Sequence, residues 1–215
     1  MKVAVTIEQS LKKSFARAID WPGWARSGKT PELALDALRA SAPRYSVVAT
    51  AAGEVFEPDE YDVVEEVPGG GGTDFGVPSA VTELDARPSD RDDANRLIRL
   101  VDAAWSTLDR VVANAPAELR KGPRGGGRDR DKIVGHVLDA EGAYAREMGI
   151  KLAAPDPTDA TGIDLMRSAL LDVLREPSDG SPLAGRKWTV RYAAARIAWH
   201  ALDHAWEIED RSEPG

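Results

Sequence analysis

Cysteine does not occur in this 215-residue chain. Its absence removes disulfides, zinc–thiolate sites, iron–sulfur clusters and a thiol nucleophile together, so any metal must be held by nitrogen and oxygen donors. Histidine is nearly as scarce, with three residues. No apolar run approaches the roughly 20 residues that span a bilayer. The opening MKVAVTIEQSLKK lacks the apolar region and small-residue cleavage site of a secretory signal, so a cytoplasmic location is expected, with no membrane partner. An excess of positive charge is missing too. A net charge of −8 argues against sequence-independent nucleic-acid binding, which needs a basic face to displace counterions. The single dense basic cluster, Lys121, Arg124, Arg128, Arg130 and Lys132, has no aromatic residues interleaved for base stacking.

What is present is ordinary for a soluble globular protein: 42% hydrophobic and 30% charged residues, long enough for one large domain or two small ones. The first 68 residues read as a small α/β module. Val3, Val5 and Ile7 alternate with polar neighbours as in a strand with one buried face. A second strand is expected over 14–20, broken by the Trp21-Pro22-Gly23-Trp24 turn. A helix is predicted over 31–40, with Thr30 as N-cap, Pro31 in the first turn and Pro43 as the stop. Short strands over 45–49 and 62–67 would complete the sheet. The Gly69-Gly70-Gly71-Gly72 run lies in a linker or mobile loop, placed at 69–88.

The remainder, 89–215, is helical. Apolar residues recur at three and four over 89–114, where Ser89 is the expected cap, and again over 130–148, 163–175 and 190–210. Four amphipathic helices in succession are most simply a four-helix bundle, which makes the whole chain α+β.

All three histidines fall on two of these helices. His200 and His204 are four apart, about 40° from one another on one helix face, so two imidazoles can converge on one ion. His136 can supply a third nitrogen across the bundle core. Three nitrogen ligands leave a coordination position for water or substrate, the arrangement of a catalytic site. The other reading is that these are core or cap histidines bonded to neighbours. Three carboxylates lie close in sequence. Glu207 falls in angle between His200 and His204, suited either to accept a ring N–H or to act as a general base. Asp139 and Asp203 are further candidates for moving a proton, against a solvated helix face as the alternative for Asp203. The 122–130 loop, with three consecutive glycines flanked by Arg124 and Arg128, can cradle a carboxylate or phosphate beside the helix that follows; a flexible loop is the alternative.

The stretch Trp199-His200-Ala201-Leu202-Asp203-His204-Ala205-Trp206-Glu207-Ile208-Glu209-Asp210-Arg211 resembles the last helix of DinB-like proteins. The segment 133–144, with His136 inside it, resembles their second helix. That resemblance spans roughly 89–211. It implies a four-helix bundle whose three histidines, here His136, His200 and His204, hold one divalent transition metal (zinc, nickel or iron). It also implies a homodimer and a small-molecule substrate, with activities that include S-transfer or isomerisation using a low-molecular-weight thiol, and amide-type hydrolysis. The N-terminal part resembles HicB-like modules through Ala16-Arg17-Ala18-Ile19-Asp20-Trp21-Pro22-Gly23-Trp24 and the following Ser27-Gly28-Lys29-Thr30-Pro31-Glu32-Leu33-Ala34-Leu35. It departs from them in its tryptophans and in having no evident DNA-binding segment, so a structural or partner-binding role is expected of it. Of the six tryptophans, Trp105, Trp199 and Trp206 sit where core or pocket lining is expected.

Overall fold

A computed structural model describes residues 1–122 and 126–212. The fold is mixed α+β, a four-stranded sheet with seven helices among those residues. Strands β1 (Lys2–Gln9), β2 (Ser14–Ala18) and β3 (Ala25–Gly28) form an antiparallel meander. The fourth strand, β4 (Glu60–Pro68), returns parallel to β1 and gives the order β3-β2-β1-β4. A parallel return needs a crossover, and helices α1 (Pro31–Ala40) and α2 (Ala42–Ala51) supply it.

The start of α1 follows its sequence signals: the Thr30 side chain accepts the Leu33 N–H at 3.3 Å, and Pro31 occupies the first turn. The strand expected over 45–49 is not there. Those residues belong to α2, because Tyr45, Val48, Ala49 and Ala52 recur at helical spacing and are buried. Pro43 opens this second helix within its first turn rather than merely stopping the first. Tyr45 stacks on Trp24 at 5.4 Å and donates its hydroxyl to the Pro22 carbonyl at 2.7 Å.

Strand β2 is buried along its whole length because both of its own faces are covered. Ala16 and Ala18 face the core with Val5 and Ile7. On the opposite face lies the segment between β4 and the bundle, with the single-turn helix α3 (Gly71–Asp74) and a 3₁₀ turn at Glu83–Ala86. Two buried anchors hold it. Glu8 accepts the Ser79 and Ala80 N–H groups, both at 3.1 Å, and is bonded by the Thr73 hydroxyl. Arg17 forms a bidentate pair with Asp85, at 2.8 and 2.6 Å.

The bundle comprises α4 (Arg91–Asn114), α5 (Arg130–Glu147), α6 (Ala160–Arg175) and α7 (Val190–Ser212). The cap of α4 is Asp90, whose carboxylate accepts the Asp92 and Asp93 N–H groups at 2.9 Å. Ser89, the expected cap, instead pairs through its backbone with Ser178. Leu100 and Trp105 from α4, Ile133 from α5, Leu170 from α6, and Ile197 and Leu202 from α7 are buried together. Burying each such side chain contributes about 1.5–3 kcal/mol, against about 0–1 kcal/mol for an exposed ion pair, so apolar packing holds the helices together.

The apolar core runs without a break from the sheet into the bundle. Gly23 sits at that contact with φ of +91°, and a Cβ there would lie 2.8 Å from Leu202 Cδ1. Glycine is therefore needed both for the turn and for its approach to α7. No helix among the described residues is long and apolar enough to cross a membrane.

Candidate metal centre

Helices α5 and α7 pack against each other, and their register brings the three imidazoles together. On α5, Ile133 and Val137 are buried and fix the inward face, leaving His136 beside them at its partly exposed edge. On α7, Ala194, Ala198, Ala201 and Ala205 are buried small residues that allow close approach by neighbouring elements. One face of α7 then presents His200 and His204, which are 7% and 9% exposed. The His136 ring centroid lies 5.1 Å from each of the other two, and His200 and His204 are 4.6 Å apart. One ring nitrogen from each comes within 4.8 Å of the others, so the three can hold a metal ion.

The donor set fits the ion that the sequence suggests. His200 Nδ1 is buried with no hydrogen-bond partner among the described residues, a costly state for a neutral core imidazole. Burial, followed by the nearby positive charges of His204 and Arg196, holds the His200 pKa well below its ordinary value. Burial and Arg128 lower that of His136 in the same way. Both rings are thus kept neutral, the form that ligates. Imidazole ligands without thiolate suit zinc, nickel or iron.

Behind His204 stands a carboxylate. Glu207 Oε2 lies 2.8 Å from His204 Nδ1, leaving Nε2 of that ring for a ligand role. Arg211 Nη1 donates to the other oxygen at 2.7 Å, and its Nε donates to the Arg120 carbonyl at 2.8 Å. The hydrogen bond from His204, then burial opposing it and Arg211 assisting, leaves the Glu207 pKa lowered. Gly127, at φ of +116°, packs so closely on Arg211 that a Cβ would lie 2.6 Å from its Nη2. The glycine-containing loop before α5 therefore backs this hydrogen-bonded chain. Arg128 in that loop is exposed, and Arg124 lies outside the described residues.

The other two carboxylates are placed differently. Asp139, one turn beyond His136, is exposed. Asp203 turns to the sheet, accepting from Arg26 Nη1 on β3 at 3.2 Å. Burial raises its pKa, and Arg26 opposes that shift.

The site has an aromatic wall, in which Trp199 stands where core or pocket lining was expected and Tyr144 joins it from α5. Tyr144 lies 5.8 Å from the His200 ring and Trp199 6.0 Å from it. The N-terminal module supports this wall: Phe15 of β2 meets Trp199 edge-on at 6.0 Å, and Ala25 and Val77 pack beside them. Arg196 was missed from the sequence, although it stands four residues before His200 and the same i, i+4 rule places it on the histidine face.

A second buried polar group lies elsewhere in the bundle. Glu141, 2% exposed, accepts the Trp105 indole N–H at 2.8 Å, and burial pushes its pKa up to about 7.

Comparison with known proteins finds no matching family model, no similar curated protein and no matching solved structure.

Proposed function

We propose that the chain is a metal-dependent enzyme related to the DinB-like proteins, with His136, His200 and His204 as the ligands of one divalent transition metal. The convergence of three imidazoles from two helices, within 4.8 Å of one another, carries this reading. The resemblance of 89–211 to that family supports it, and that of the N-terminal part to HicB-like modules accompanies it. Such an ion supplies the Lewis acidity that makes a nucleophile from water or a small thiol near neutral pH.

The protein's own residues have separable tasks in this scheme. Both oxygens of Glu207 are engaged, by His204 and by Arg211, which suits a residue that fixes the His204 ring and its tautomer. Of the other candidate proton carriers, Asp203 is paired with Arg26, whereas Asp139 has solvent access. Tyr144 and Trp199 present apolar surface beside His200, limiting water and favouring a substrate with an apolar part. With no protein cysteine, a thiol nucleophile would come from a small co-substrate. The proposal extends to a cytoplasmic homodimer, as expected above.

Assays of the zinc- and nickel-loaded protein test the proposal, with amides as hydrolytic substrates and with electrophiles offered alongside a low-molecular-weight thiol. Metal-dependent turnover that disappears in His200→Ala supports it. Turnover that persists unchanged in that variant contradicts it, and a loaded protein with no turnover across the panel favours a non-catalytic metal-binding role.

A further inference from the structure

Arg196 is a cation without an anion. Its Nη1 is buried and has no hydrogen-bond partner, and no carboxylate pairs with it among the described residues. Most other arginines of this bundle are engaged: Arg167 with Asp109, Arg191 with Asp93, Arg211 with Glu207. Instead, the Arg196 guanidinium lies between two aromatic rings, 4.7 Å from the Trp199 centroid and 5.3 Å from that of Tyr144. Contacts of that kind hold a guanidinium in a fixed plane and offset part of its desolvation, but they satisfy none of its N–H donors. The Trp199 indole N–H beside it is also buried without a partner among the described residues.

The location gives these unmet donors a meaning. Arg196 and His200 are one helical turn apart, and both rings that flank Arg196 also flank His200. A divalent cation at the histidines would add positive charge beside Arg196, where the two nearest α7 carboxylates already have partners, Asp203 in Arg26 and Glu207 in Arg211. A planar fork of donors held between aromatic faces matches a carboxylate in a bidentate pair, and the adjoining rings match a flat apolar body.

Building on the proposed metal site, we propose that Arg196 binds the carboxylate of an organic acid whose flat apolar body lies against Trp199 and Tyr144, beside the three histidines. Arg196 would fix the orientation of the substrate, leaving the reacting group to face the histidines.

Calorimetric titration with benzoate tests this, using the zinc-loaded wild type, Arg196→Met and Arg196→Lys, with benzyl alcohol and inorganic phosphate as comparison ligands. Metal content and melting temperature are recorded for each protein. The expected result is that benzoate binding weakens about tenfold or more in Arg196→Met, with zinc content unchanged. Arg196→Lys, which keeps the charge and loses the fork, should weaken it too, and gives the answer if the methionine variant does not fold. Equal benzoate affinity in the wild type and a folded variant overturns the proposal, as does no binding to the wild type. Benzyl alcohol binding as tightly as benzoate, or phosphate binding more tightly, overturns the carboxylate assignment. If the wild type takes up no metal yet binds benzoate through Arg196, the anion site stands and the metal reading alone fails.

Discussion

Glu207 Oε2 and His204 Nδ1 are 2.8 Å apart on successive turns of α7, so the carboxylate takes one ring nitrogen and leaves the other facing His136 and His200. Helical spacing alone creates this contact, and Arg211, a turn further on, holds the carboxylate in place.

Glu207→Ala should therefore keep all three histidines and still weaken metal binding. Loss of a partner that orients a ligating histidine costs about 10–100-fold in affinity. Competition against a chromophoric chelator measures it, and an unchanged affinity would remove Glu207 from the site.

The depressed His200 and His136 pKa values set a pH dependence for the metal-free protein. In the folded state these rings bind fewer protons than in the unfolded chain, where the ordinary value is 6.5. Stability from this source is complete above pH 6.5 and falls as the pH drops below it. Melting temperatures between pH 8 and pH 5 should show the fall, and His200→Ala should flatten it. With metal bound, retention should fail below about pH 6, where protons compete for the imidazoles.

Glu141 carries the opposite sign. Its raised pKa of about 7 means that the folded state holds a proton which the unfolded chain releases near the ordinary 4.5. That contribution is complete below 4.5 and is lost as the pH rises through about 7. Glu141→Gln keeps an acceptor for the Trp105 indole and removes the charge. It should stabilise the protein at pH 8 by on the order of 2 kcal/mol and have little effect at pH 4.5. Chemical denaturation at both values checks this, and a variant less stable at pH 8 would contradict it.

The sequence made some of these features legible and hid others for physical reasons. The bundle helices were readable because apolar residues repeat at three and four over long windows, and local caps such as Thr30 act within a few residues. The histidine cluster could be read from one i, i+4 pair plus a third histidine on another helix. Helix α2 was misread because its adjacent Val47 and Val48 resemble a strand and Pro43 resembles a stop, whereas burial of Tyr45, Val48 and Ala49 follows a helical face. Strand β3 spans four residues after a Pro-Gly turn, too few for a period to emerge. The isolation of Arg196 could not be read at all, since having no partner is a property of tertiary packing. The same holds for Asp203, whose partner Arg26 is 177 residues away.

Elemental analysis of protein purified without a histidine tag, and of its His200→Ala, His204→Ala variant, decides whether the three histidines hold a metal ion. About one zinc, nickel or iron per wild-type chain and none in the variant are expected. Wild-type protein that stays metal-free after reconstitution would contradict this and return the three histidines to packing residues.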